Sequence, residues 1–287
     1  MGRLVTGLLF NNSVSIRAIN STDMVEKARC THGLSPVCCA ALGRTISACA
    51  LISSKYKEKW YKMSATIKGD GPIGNIVVCA DGTGKVKGLV GNPKVDLPLN
   101  EFGKLDVSGA VGFGTLTVIN DIGLKDPYIG TVELQSGEIG DDFAYYLLTS
   151  EQTPTLVYLG VLVDKDCSIK SSGGIIVEPL PECEDSVIDI LEQNAFEIAK
   201  FNRMMAEGKD MVDALKEIFD GMDLHIKEEL SPKYECDCSR ERMAEVIAAI
   251  PKSDLKEIIE EDKKAQLVCH FCHKEYNFTE EELEDLL

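Results

Sequence analysis

Two pairs of cysteines near the end of the chain, Cys236-Asp237-Cys238 and Cys269-His270-Phe271-Cys272, constrain the fold more than any other stretch. Thiolates are soft ligands suited to tetrahedral zinc, and paired spacing lets two of them reach one metal from a single turn. Four thiolates fill a tetrahedron, so Cys236, Cys238, Cys269 and Cys272 predict a closed metal site rather than a hydrolytic one. Three readings fit these residues: a structural zinc clip, a zinc site that also senses oxidants because each pair can close on itself, or four unconnected thiols. His270 and His273 lie inside and beside the second pair. The cysteine spacing is the better match, which leaves both histidines as neighbours of the site or exposed.

The cysteine total and the charge narrow the class. Eleven cysteines, with no long apolar leader in Met1-Gly2-Arg3-Leu4-Val5-Thr6, point to a reducing cytoplasm and against a disulfide framework. The absence of an eighteen-residue apolar run predicts no membrane span. The net charge of −17 is uneven: −1 over residues 1–178, −9 over 179–231 and −7 over 232–287. An acidic module repels phosphate backbones, so a nucleic-acid-binding zinc finger is disfavoured. The acidity reads equally as a solvated surface or as a means of keeping a bound partner soluble.

Residues 1–178 read as an α+β core of mixed sheets packed with helices. Leu4–Phe10 and Val14–Asn20 predict strands joined at Asn11-Asn12, followed by helices over Thr22–Thr31 and from Pro36. The second helix, dense in small residues, is expected to be buried. Alternation from Trp60 to Lys68 predicts a half-buried strand that opens a meander through Ile76–Ala80 and Val86–Val90. Further strands are expected at Gly114–Asn120, Tyr128–Leu134, Thr155–Val163 and Gly174–Val177, with a helix over Ile139–Ser150. Gly69-Asp70-Gly71-Pro72-Ile73-Gly74 has the form G-x-G-x-x-G but opens a strand rather than a helix, which argues against a dinucleotide site. The remaining cysteines, Cys30, Cys38, Cys39, Cys49, Cys79, Cys167 and Cys183, have no assigned role, and vicinal Cys38-Cys39 read as small buried hydrophobes. His32, near Ser35 and Cys38, reads as a packed side chain because no third group orients it as a base.

At Pro179-Leu180-Pro181 the character changes to a helical linker over 179–231. One amphipathic stripe carries Val187, Ile188, Leu191, Ala195, Ile198 and Ala199. A second, beyond Gly208, carries Met211, Val212, Leu215, Ile218, Phe219 and Met222. The last segment, 232–287, reads as a small zinc-binding α+β module. Ser239 caps a helix bearing Met243, Val246, Ile247 and Ile250, a short helix runs from Ser253 to Glu261, and Val268–Phe278 forms a hairpin knuckle. Thr279-Glu280-Glu281-Glu282 is a capping box for a final helix. With few large apolar residues, the module needs its metal to fold; structural zinc is typically worth ~10–16 kcal/mol.

Several motifs together resemble the heat-shock protein 33 family of redox-regulated holdase chaperones. They include Thr31-His32-Gly33-Leu34-Ser35-Pro36, Ala40-Ala41-Leu42-Gly43-Arg44-Thr45, Gly69–Gly74, Val90-Gly91-Asn92-Pro93 and Asp96-Leu97-Pro98-Leu99-Asn100. Ser136-Gly137-Glu138-Ile139, Thr149-Ser150-Glu151-Gln152-Thr153-Pro154, Cys236-x-Cys238-Ser239-x-Glu241-Arg242, Glu260-Glu261-Asp262 and Val268-Cys269-His270-Phe271-Cys272 complete the set. Cys38, Cys39 and Cys79 match none of these motifs. The resemblance implies a client-binding and dimerising core (1–178), a linker (179–231) and a zinc switch (232–287). It implies one zinc ion per chain on Cys236, Cys238, Cys269 and Cys272 in the reduced form. On oxidation, Cys236–Cys238 and Cys269–Cys272 disulfides are expected to replace the metal, the linker stripes to become exposed, and unfolding clients to bind without ATP. The active form is expected to be a homodimer, with no nucleic-acid or membrane partner and no enzymatic turnover. The alternative reading is an enzyme with its site in residues 1–178 and a purely structural zinc clip.

Overall fold

The computed structural model describes residues 2–181 and 183–287. Two compact units emerge, Met1–Tyr234 and Glu235–Leu287.

The larger unit begins with a hairpin of β1 (Arg3–Leu9) and β2 (Val14–Asn20). Its turn uses three successive left-handed residues, Phe10, Asn11 and Asn12, and asparagine tolerates that conformation better than most side chains. Helix α1 (Thr22–His32) stops at Gly33, whose φ of 59° forms a left-handed cap. Helix α2 (Pro36–Ser53) follows. A meander of β3 (Lys62–Gly69), β4 (Ile76–Asp81) and β5 (Lys85–Val90) leads to the short α3 (Val107–Val111), then to β6 (Gly114–Asp121) and β7 (Tyr128–Glu133). After α4 (Gly140–Thr149) come β8 (Leu156–Val163) and the long β9 (Ile169–Pro179). Four short helices follow: α5 (Asp185–Gln193), α6 (Ala195–Ile198), α7 (Phe201–Ala206) and α8 (Met211–Ile218). The unit closes with β10 (His225–Leu230) and β11 (Lys233–Tyr234).

These strands form a five-stranded sheet, β10-β1-β2-β9-β8, and a six-stranded sheet, β11-β5-β4-β3-β6-β7. Every pairing is antiparallel except that of β11 with β5. Helix α2 packs on strands of both sheets, which explains its run of small residues. A Cβ at Gly43 would come within 2.8 Å of Val25 and 2.9 Å of Val161. The helix is long and apolar enough to cross a membrane, yet 89% of it is buried inside this fold. The G-x-G-x-x-G stretch is explained by backbone crowding against α3. A Cβ at Gly69 would sit 1.9 Å from the Val111 carbonyl oxygen and one at Gly71 2.4 Å from that of Ala110. Buried Asp142 fixes the entry to α4 by accepting backbone N–H groups from Gln135, Ser136, Gly137 and Ile139.

The other face of the five-stranded sheet carries Val5, Leu9, Val14, Ile16, Ile175 and Val177, and helices α5–α8 cover it with Leu191, Ile198, Phe201, Met211, Leu215, Ile218 and Phe219. Of the two amphipathic helices expected, the second is present as α8, the first is divided into α5 and α6, and α7 lies between α6 and α8. Asn194 breaks the first, and its side-chain amide donates to the Ile218 carbonyl. Ala195 and Ala199, expected on the buried stripe, are exposed because the break rotates the face. Strands β10 and β11 had no counterpart in the sequence reading, since the charged stretch His225-Ile226-Lys227-Glu228-Glu229-Leu230 carries no alternating apolar signal.

The smaller unit contains α9 (Arg240–Ala248), α10 (Lys252–Asp262), a hairpin of β12 (Lys264–Val268) and β13 (Glu275–Thr279), and α11 (Glu280–Glu284). Ser239 caps α9 by accepting from the Arg242 N–H, and Thr279 with Glu282 forms the expected capping box on α11. Its core is small: Ile247, Leu255, Ile259, Cys269, Tyr276, Phe278 and Leu283. Val246, expected on the inner face of α9, is 56% exposed, because Ile247 takes the inward position.

Candidate metal centre

The hairpin and the segment entering α9 bring the two cysteine pairs together. Beyond Val268 the chain turns sharply: the Cys269 N–H donates to the Lys274 carbonyl and the His273 N–H to the Cys269 carbonyl. His273 takes a left-handed φ of 58° to make this turn. The Sγ atoms of Cys236, Cys238, Cys269 and Cys272 all lie within 4.8 Å of one another. Cys236 is 3.7 Å from Cys269, and Cys238 is 3.4 Å from Cys272.

This donor set fits a four-thiolate metal ion. Four sulfurs at ~2.3 Å from a tetrahedral zinc are ~3.8 Å apart, close to the separations seen here. All four cysteines are free thiols. Neither His270 nor His273 belongs to the cluster among the described residues, and both are exposed.

Neighbouring groups hold the cluster in place. Tyr276 Oη lies 3.1 Å from both Sγ and the carbonyl oxygen of Cys238. Arg242 binds the Asp237 carboxylate at 2.7 Å, which fixes the residue between the first pair. Burial pushes the Cys236 and Cys272 thiols up. Burial acts the same way on Cys238, but hydrogen bonds from Tyr276 and the adjacent thiols outweigh it and bring that thiol down to about 7. Cys238 therefore ionises more readily than Cys236 or Cys272. Sequence reasoning missed Tyr276, because its reach to Cys238 depends on the pairing of β12 with β13.

The other cysteines do not join this site. Cys38, Cys39 and Cys49 are buried in the larger unit, Cys79, Cys167 and Cys183 are half-buried, and Cys30 is exposed. Burial raises the thiols of Cys38 and Cys49, and brings Cys39 up to about 12. His32 Nε2 lies 3.0 Å from Tyr234 Oη. Tyr234 gives its one proton to the Gly88 carbonyl, so His32 Nε2 carries the proton of this hydrogen bond.

Fold and site together define a two-unit protein whose small unit is built around a four-thiol cluster. The family described as Hsp33 protein matches residues 2–279. The "33 kDa chaperonin" of Caldanaerobacter subterraneus subsp. tengcongensis is 47% identical over 285 residues, covering 99% of this chain and 97% of the relative. That of Clostridium beijerinckii is 45% identical over 286 residues, covering 99% and 98%. The crystal structure of the 33 kDa chaperonin (heat shock protein 33 homolog) of Thermotoga maritima superposes with a TM-score of 0.90 at 36% identity, covering 99% of this chain and 97% of that one. The chain belongs to the Hsp33 family.

Proposed function

We propose that this protein is a redox-regulated, ATP-independent holdase chaperone that binds unfolding proteins under oxidative stress and has no enzymatic turnover. The observation that carries the reading is the gathering of four free thiols, within 4.8 Å of one another, in a unit with a core too small to be stable unaided. Cys236, Cys238, Cys269 and Cys272 would hold one zinc ion in the reduced form. Bound zinc would supply most of the folding free energy of the small unit, on the order of 10 kcal/mol.

Oxidation acts on the sulfurs themselves. A thiolate of one pair attacks peroxide and becomes a sulfenic acid, releasing hydroxide. Its neighbour then displaces a second hydroxide and closes the disulfide, so each peroxide takes two electrons from one pair. The expected products are Cys236–Cys238 and Cys269–Cys272. Once oxidised, these residues no longer offer a ligand set, and the small unit loses its fold. The Cys-x-Cys ring is small and strained, which favours re-reduction.

Residues 1–178 act as the client-binding and dimerising core in this reading, 179–231 as the linker and 232–287 as the switch. The sheet face beneath α5–α8 is the apolar surface that linker opening would expose to clients. The free cysteines suit a reducing cytoplasm, and the acidic charge of −17 disfavours a nucleic-acid partner. The active form is a homodimer that needs no membrane.

A paired assay tests the proposal. Zinc release is followed with a chromophoric chelator while peroxide is added under mild heat, and light scattering of a heat-denatured client is recorded alongside. Loss of about one zinc per chain together with suppressed aggregation, reversed by reductant plus zinc, is the expected result. Zinc loss with unaltered aggregation would reduce the site to a structural clip.

A further inference from the structure

Strand β10 is a weak occupant of a strong site. It is the edge strand of its sheet, and none of its side chains is buried. Ile226 and Leu230 are half-buried, on the linker-helix and α2 sides respectively. The other residues, His225, Lys227, Glu228 and Glu229, are exposed and polar. Beyond Ile226 and Leu230, anchoring comes from surface ion pairs: Arg3 grips Glu229 through two hydrogen bonds and also meets Asp210, and Lys57 meets Glu228. The register with β1 also breaks between Thr6 and Gly7. By contrast, the next residues are held firmly. Pro232 is buried and accepts from the Gly2 N–H, and Tyr234 is buried and bonded to Gly88 and His32. Beside β10 in the sheet lies β1, whose Leu4, Val5 and Leu9 are buried.

We infer that β10 is a placeholder on the β1 edge, and that in the client-holding state an extended segment of an unfolding protein replaces it by strand addition. This deepens the chaperone reading and rests on it. The backbone of β1 supplies sequence-independent hydrogen bonds, which suits clients of many sequences. A segment with apolar residues at alternating positions buries more than the charged β10 does, so unfolding proteins outcompete it while folded ones offer no free strand. Leu4 and Val5 point to opposite faces, so the entering segment finds apolar surface on both sides.

Hydrogen exchange on the full chain, with a heat-unfolded client as probe, tests this. On oxidation, amides of His225–Leu230 and the β1 amides that face them should exchange ~10-fold faster or more. Added client should restore protection to β1 while β10 stays fast. Client held with β10 still protected, or with β1 left exchanging, overturns the inference and leaves the chaperone reading intact. An oxidised chain that holds no client sinks both. A second arm uses the reduced protein with Ile226→Asp, which removes one of the two half-buried apolar side chains of β10 and leaves β1 unaltered. It should speed β10 exchange ~10-fold and raise client holding without oxidant. Faster β10 exchange with no gain in holding would also count against the inference.

Discussion

The hydroxyl of Tyr276 sits 3.1 Å from the sulfur of Cys238, so a residue on the knuckle hairpin orients a thiol on the segment entering α9. Groups that hydrogen-bond to metal ligands commonly change metal affinity ~10–100-fold when removed. Tyr276→Phe keeps the buried ring and deletes only the hydroxyl. Zinc affinity measured by chelator competition should fall ~10-fold, with the secondary structure of the zinc-loaded protein unchanged. Unchanged affinity would show that the contact does not support the ligand set.

Removing the metal should unfold one unit and spare the other. The seven-residue core of the small unit is marginal without cross-links. The single tryptophan, Trp60, lies in the large unit. Chelation under reducing conditions is expected to lower helical circular dichroism and leave the Trp60 emission where it was. A shift in Trp60 emission would mean that the large unit also depends on the metal.

Phe201 is 0% exposed between α7 and the five-stranded sheet, in the cluster that holds α5–α8 on that sheet. Phe201→Ala should cost ~3–5 kcal/mol locally and loosen α5–α8. The reduced, zinc-loaded variant should then suppress client aggregation without oxidant. A destabilised variant that stays inactive would separate linker opening from client binding.

Glu26 ties α1 to β9: it binds Arg29 and accepts the Ile169 N–H. The Arg29 hydrogen bonds hold its carboxyl well below the ordinary 4.5, at about 2, against the opposing effect of burial. A depressed folded-state pKa stabilises above the unfolded value and loses its effect as pH falls toward the folded one. Glu26→Gln should therefore destabilise the large unit by about 1 kcal/mol at pH 7, a modest figure because the pair is partly exposed. The gap between variant and parent in urea unfolding should shrink steadily from pH 5 to pH 3. A constant gap would mean that the carboxylate charge is not what matters.

The homologous relatives make the family plain, but much of the architecture was already legible locally. The 2-residue alternation around Met63, Ala65 and Ile67, Pro36 in the first turn of α2, and the Thr279–Glu282 capping box each act within a few residues. Such signals hold whatever the rest of the chain does, so β1–β8, the Gly174–Val177 part of β9, α1, α2, α4, α9, α10 and the α11 cap follow from them. The cysteine spacing likewise fixed which residues compete for a metal, because ligand chemistry belongs to the side chain.

Tertiary structure alone decided the remainder. Strand β10 exists because β1 offers an unpaired edge, and nothing in its own charged sequence announces it. Asn194 breaks a helix because the Ile218 carbonyl lies within reach of its amide, 24 residues away. Gly69 and Gly71 are required by the backbone of α3, not by a phosphate. The two cysteine pairs become one site only when the β12–β13 hairpin closes beside the start of α9. In each case the deciding partner is distant in sequence, and its free energy is realised only after the chain has brought the two together.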